Sequence, residues 1–186
     1  AKWQRKFESY ATVERTFHGA SGDTQVDMMF RRGDMLYGET DGAQVVYLPY
    51  EAEGLGMYVI LPGEQGAAAL LADMAARMSE GGAPDELTAI ETADVALRLP
   101  RVNAASGGSL KEALKAAGLS GAMDLGADFS GMTDDYDLFI GNVIQNCALE
   151  VGEEGTRAAA VTAVAMDSGS AYQEAQPKSM TVDRPY

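Results

Sequence analysis

One histidine and one cysteine limit the chemistry open to this chain of 186 residues. Serine-type nucleophilic catalysis needs a hydroxyl, an imidazole and an acid brought together. Most zinc sites draw on several imidazoles or thiolates. His18, set between Phe17 and Gly19, reads as structural rather than as a base or a ligand. Cys147 sits in an apolar run and reads as a small core residue. Asp134, Asp135 and Asp137 could offer oxygens to a cation, but the EF-hand spacing and its terminal glutamate are missing. A solvated acidic loop is the simpler reading. Glu91 and Asp94 could pair as carboxylates, yet nothing in the sequence brings them together. Gly54-Leu55-Gly56 lacks the third glycine and the helix start of a nucleotide loop. No catalytic residue, cofactor or metal site is expected, and the chain is not expected to be an enzyme.

The formal net charge of -14 disfavours nucleic acid as a partner, since such binding needs basic patches that displace counterions. Lys2, Arg5 and Lys6 form one small basic group, and Arg31 and Arg32 another. Both read as solvated surface. No apolar run approaches the ~18 residues of a membrane-spanning helix, so no membrane partner is expected. An apolar content of 46% with 23% charged residues is that of a globular domain. The single cysteine excludes an internal disulfide and leaves the compartment open.

The unusual stretch is 151–166. A strand-like run ends in Glu153, Glu154 and Gly155, and a tract of small residues follows. In a strand, alternate side chains share a face. Thr156, Ala158, Ala160, Thr162, Val164 and Met166 would then line one face, small at first and apolar later. Arg157, Ala159, Val161, Ala163, Ala165 and Asp167 would line the other, which carries both charges. The first face could slide between two strands over a packed core. A bulky or charged residue at Ala158 or Ala160 would obstruct it or bury an unpaired charge. The same alanines also suit a helix or a linker.

The elements that must position this stretch follow from periodicity. Strands are expected at 25–30 and, after a break at Gly33-Asp34, at 35–38. Residues 44–50 and 57–61 read as a hairpin, the second strand buried on both faces. Residues 67–78 read as a helix. Residues 95–102 read as a strand in which Pro100 must sit at an edge or an end. Ser109 with Glu112 suggests a capping box. Leu110, Ala113, Leu114 and Ala117 then form an apolar face, and Gly118 suits the left-handed position that ends a helix. Residues 128–132 read as a loop and 138–151 as a long strand. Many strands with few helices make the class α+β.

Several segments together resemble one family. Lys2-Trp3-Gln4-Arg5-Lys6-Phe7 resembles the Lys-Trp-x-x-x-Phe segment of the serpins, the serine-protease inhibitors. Thr16-Phe17-His18 and Val26-Asp27-Met28-Met29 follow in the family's order, as does the pair of strands ending in Leu48-Pro49 and Leu61-Pro62. Leu97-Arg98-Leu99-Pro100-Arg101, Leu110-Lys111-Glu112-Ala113-Leu114, Ala127-Asp128-Phe129-Ser130-Gly131-Met132 and Asp183-Arg184-Pro185-Tyr186 complete the series.

The resemblance implies a serpin-like fold of mostly antiparallel sheets, of which 1–186 is the C-terminal half. The helical N-terminal half would precede Ala1, and the last barrel strands would follow Tyr186. It implies a reactive loop at 152–180. The hinge of that loop comprises Glu153, Glu154, Gly155, Thr156, Arg157, Ala158, Ala159, Ala160, Val161 and Thr162. Family spacing puts the scissile bond at Gly169-Ser170, within 167–173. Trp3 would mark the breach, where the loop first enters the main sheet. Gln145 would lie in the shutter, where the family carries a histidine. The implied function is inhibition of a serine protease by a suicide-substrate route. Gly169, Ser170 and Ala171 suit an elastase- or subtilisin-like target and Tyr172 a chymotrypsin-like one. The alternative is a non-inhibitory serpin acting as a binding, carrier or chaperone module. The family's habit implies an extracellular or secreted protein.

Overall fold

The computed structural model describes residues 1–40, 42–133, 137–156 and 176–186. They form two compact units, one of Ala1–Val102 with Glu150–Tyr186, the other of Asn103–Leu149.

The first unit is built on one long strand. Strand β1 (Val13–Gly19) turns back into β2 (Gly22–Glu39), and β3 (Ala43–Pro49) and β4 (Gly56–Pro62) form a hairpin. Helix α1 (Gly66–Ser79) and the short α2 (Asp85–Thr88) lead to β5 (Glu91–Pro100). The last strand, β9 (Lys178–Thr181), lies on β5 in parallel, and the order across the sheet is β4-β3-β2-β5-β9, with β1 also on β2.

The expected break at Gly33-Asp34 does not occur. The ladder from Met28 opposite Pro100 to Tyr37 opposite Glu91 runs through Gly33 opposite Val95 without interruption. A continuous partner strand keeps the glycine in the sheet. Pro100 is the last residue of β5, a position where a missing N–H is harmless. The second hairpin strand is not buried on both faces. Val59 and Leu61 point into the core, while Tyr58 is exposed at 44% and packs on Tyr47 with ring centres 4.8 Å apart. Further along that second face Ile60 packs against the following helix, so the cover there is partial.

The core holds Trp3, Phe7, Met29, Val46, Leu48, Val95, Leu97, Leu99 and Met180, from the N-terminal segment and four strands. Each such fully buried side chain contributes about 1.5–3 kcal/mol. Helix α1 lies on the other face, where Leu70 and Met74, one turn apart, meet Ala43 and Ile60. Arg77 joins the two helices by donating to both carboxylate oxygens of the buried Glu86, at 3.0 and 2.9 Å.

In the second unit β6 (Val102–Ser109) neighbours β7 (Ile144–Gly152). The helix expected over 109–118 shortens to α3 (Lys111–Leu114), followed by a wide turn at Lys115–Leu119. Ser109 Oγ accepts from the Lys111 N–H at 3.2 Å, and Gly118 takes the left-handed conformation, φ 97°. The strand expected from residue 138 starts only at Ile144. Before it, backbone groups pair with the helical segment: Ile140 N–H donates to Ala122 O at 2.9 Å and Lys111 Nζ to Gly141 O at 2.8 Å. Val143 O accepts from Leu110 N–H at 2.8 Å. These bonds hold the segment out of a ladder. Cys147 is exposed, not core, because no described residue of the unit covers that face of β7.

Candidate functional site

The C-terminal end of β7 turns sharply within the first unit. Val151 pairs with Thr156 and Gly152 with Gly155, which makes Gly155–Thr156 a short strand, β8. Glu153 and Glu154 form the turn between them. This places four of the expected hinge residues. Arg157, Ala158, Ala159, Ala160, Val161 and Thr162 lie outside the described residues, as do Gly169 and Ser170.

The N-terminal segment is fastened along this turn. Lys2 bridges antiparallel to Gly155, and Trp3 to Tyr50 of the β3–β4 connection. Trp3 N–H donates to Glu154 O at 3.0 Å, Phe7 N–H to Glu153 O at 3.1 Å, and Thr156 N–H to Ala1 O at 2.8 Å. The backbone of the turn is therefore paired with chain 150 residues away in sequence rather than with water.

Trp3 is the pivot of the arrangement. The indole is 1% exposed and its Nε1–H donates to Gly152 O at 2.8 Å. Its ring stacks on Tyr50, centroids 4.7 Å apart and planes 10° apart, and meets Phe7 edge-on at 6.5 Å. Such a sandwich fixes the donor nitrogen in direction, as a buried indole requires. Tyr50 then reaches past it, its hydroxyl 2.6 Å from Thr156 Oγ1.

Gly155 is buried and tightly enclosed. A Cβ there would lie 2.1 Å from Ala1 O and 2.7 Å from Lys2 Cα, and the backbone has φ 150°. The close approach of two backbones demands glycine, more than the need to reverse direction does.

The two acids differ. The Glu154 side chain is 57% exposed and pairs with Lys6 at the surface. That of Glu153 is only 12% exposed. Its Oε1 accepts from Thr12 Oγ1 at 2.6 Å and from Arg101 Nη2 at 2.6 Å, and its Oε2 accepts from Arg101 Nε at 3.0 Å. Arg101 also donates from Nη1 to Asp27 Oδ2 at 2.7 Å. Burial pushes the Glu153 carboxyl up. The hydrogen bonds from Arg101, Thr12 and the backbone, with the Arg101 charge, outweigh it and hold the carboxyl below the usual range. The same bonds raise the Arg101 guanidinium, against a smaller loss from burial.

Sequence reasoning singled out Trp3 and Glu153 but not the residues that hold them. Arg101, Thr12, Asp27 and Tyr50 come from four separate segments. The readable signal was a cation directly after Pro100, the end of a strand. Gln145 lies in the second unit, exposed, with Nε2 3.3 Å from Cys147 Sγ. His18 is exposed and its Nδ1 lies 2.8 Å from Asp23 Oδ1 in the β1–β2 hairpin. Among the described residues no group of three or more acids, histidines or cysteines is placed to hold a metal.

The sequence matches a protein family described as "Serpin (serine protease inhibitor)" over residues 1–186. An uncharacterised serpin-like protein of Thermococcus kodakarensis is 33% identical over 186 residues, all of this chain and 42% of that protein. The leukocyte elastase inhibitor of Bos taurus is 33% identical over 170 residues, covering 87% of this chain and 44% of the relative. Among solved structures, human thyroxine-binding globulin in complex with thyroxine aligns with TM-score 0.79 at 23% identity, over 99% of this chain and 47% of its own. Serpin48 of the insect Tenebrio molitor aligns with TM-score 0.72 at 27% identity, over 98% and 47%. The chain thus spans about half the length of the curated relatives it matches.

Proposed function

This chain belongs to the serpin family, and we propose that within the whole protein it carries the reactive loop of a serine-protease inhibitor. One observation carries the reading. The turn before the small-residue tract is fastened at Gly152, Glu153, Glu154 and Thr156, through Trp3, Arg101 and Tyr50. A loop that must enter a sheet needs a fixed point from which insertion propagates, and this turn supplies it. The tract at Arg157 to Thr162 holds no side chain larger than valine apart from Arg157 itself.

The protease hydroxyl would attack the carbonyl of Gly169. The peptide bond to Ser170 breaks, the Ser170 amine leaves with a proton, and the ester to the protease remains. The freed strand then adds to the main sheet. Each new ladder bond contributes about 1 kcal/mol net. A dozen or so would rival the ~5–15 kcal/mol stability of a small domain. That is enough to drag and distort the protease attached to the strand.

Gly169, Ser170 and Ala171 suit an elastase- or subtilisin-like target with a shallow pocket; Tyr172 would suit a chymotrypsin-like one. The reading makes 1–186 the C-terminal half of the domain, 152–180 the reactive loop and the whole protein a secreted one. Incubating the whole protein with an elastase-like protease, then denaturing gels and mass spectrometry, tests it. The expected result is a covalent adduct that survives detergent, with a cut within 167–173. Turnover of the loop without any adduct, and without a gain in heat stability, would leave a carrier or binding serpin instead.

A further inference from the structure

A cavity of about 370 Å³ opens on the first unit, beside the N-terminal segment. Met35, Tyr47 and Pro49 supply apolar walls, and Arg5, Arg31 and Asp34 supply charge. The two guanidiniums are brought together by the fold. Arg31 donates from Nη1 to the backbone carbonyl of Arg5 and lies over the Phe7 ring, 5.3 Å from its centroid. Burial, then the nearby Arg5 charge, pull the Arg31 guanidinium down to about 10.

Of the other arginines near strands of this sheet, Arg98 lies over the Phe30 ring and two take carboxylates. Arg32 takes Asp94, and Arg101 takes Glu153 and Asp27. Among the described residues no carboxylate pairs with Arg5 or Arg31, although Asp34 lines the same cavity and the chain carries 28 acids against 14 lysines and arginines. Two cations held at a largely apolar cavity have the chemistry to receive an anion.

We propose that this cavity binds a small amphipathic organic anion, its acid group held by Arg5 and Arg31 and its apolar body lying against Met35, Tyr47 and Pro49. Size separates this ligand from an inorganic ion. A volume of 370 Å³ falls in the ~300–1,000 Å³ range of small-molecule sites and greatly exceeds what one phosphate fills. The planar forks of two arginines suit a carboxylate or sulfonate better than a halide. Insertion of the reactive loop plays no part in the argument, so the proposal stands or falls separately from inhibition.

The test is titration calorimetry of the whole protein with 2-naphthoate, the neutral 2-naphthalenemethanol and inorganic phosphate. Naphthoate should bind with one-to-one stoichiometry and weaken with salt, and both other probes should bind far less tightly. Arg31→Gln should weaken naphthoate by at least about tenfold, the loss of one charge-assisted bond. Arg98→Gln, on the same sheet but outside the cavity, should not. If Arg31→Gln fails to fold, Arg5→Gln tests the second guanidinium without disturbing the Phe7 contact, and should also weaken binding. The proposal is overturned by no saturable naphthoate binding, by unchanged affinity in folded Arg31→Gln or Arg5→Gln, or by equal affinity for the neutral probe. Equal affinity for phosphate would reduce the site to one for simple anions and overturn it too.

Discussion

Arg101 grips Glu153 through two nitrogens, Nε and Nη2, while its third, Nη1, holds Asp27. One guanidinium thereby ties the residue after β5 to β2 and to the turn after β7. Removing the cation strands a largely buried carboxylate. Arg101→Met should lower the stability of the whole protein by about 1–3 kcal/mol, and Glu153→Gln by less. A double-mutant cycle by urea unfolding measures the coupling. A value indistinguishable from zero would mean the pair is surface decoration.

The same pair sets a pH dependence. The folded Glu153 carboxyl titrates below its ordinary value, so its stabilisation is fully present above about pH 4.3–4.5 and is lost as pH falls through the lowered folded value. The melting temperature of the wild type should therefore drop faster than that of Glu153→Gln on acidification from pH 5, and the two curves should converge in strong acid. Parallel curves would contradict the assignment.

Gly155→Ala sets a methyl group 2.1 Å from Ala1 O. Neither backbone can move without breaking the bonds on either side. A loss greater than ~1 kcal/mol is expected, more than a glycine substitution costs at a permissive site. Thermal melts of the whole protein would show it. If the protein does inhibit, more of it should also be cleaved as a simple substrate, which densitometry of adduct against cut inhibitor would detect.

Trp3→Phe keeps the ring stacked on Tyr50 and removes the indole donor. The Gly152 carbonyl then loses its partner, at a cost of about 1 kcal/mol plus that of the smaller ring. Tyr50→Phe removes only the bond to Thr156. The tryptophan change should be the more damaging of the two in melting temperature. The reverse order would move the pivot from Trp3 to Tyr50.

Ala160→Arg tests the small-residue tract itself. A charge on the face that must enter the sheet should shift the outcome from adduct to cleaved inhibitor while leaving the uncut protein's melting temperature unchanged. Undiminished adduct formation would mean that Ala160 does not become buried.

Local patterns were legible where one residue type has one use. Gly118 read as a left-handed helix terminus and has φ 97°; Pro100 read as a strand end and is one. The α+β class, the hairpin and α1 followed from periodicity in the same way. Long-range compensation was not legible. Gly33 interrupts a pattern but not a ladder, because β5 pairs across it. Leu138 to Val143 carry the composition of a strand, yet partners distant in sequence, such as Lys111 and Ala122, claim their backbone. At the site, the sequence marked Trp3 and the hinge but could not pair Glu153 with Arg101, 52 residues away. Such a match is decided by strand register, which no local spacing encodes.

The parallel strand β9 has a consequence for a molecule that has been nicked. Four residues pair with β5, Met180 and Val182 are fully buried, and Arg184 donates to Pro62 O at 3.0 Å. A cut anywhere between Thr156 and Lys178 severs one polypeptide into two, but the downstream piece stays woven into the sheet. The product is a noncovalent heterodimer that migrates as a single species under native conditions and separates only on denaturation. Native gel filtration would therefore conceal an event that detergent reveals.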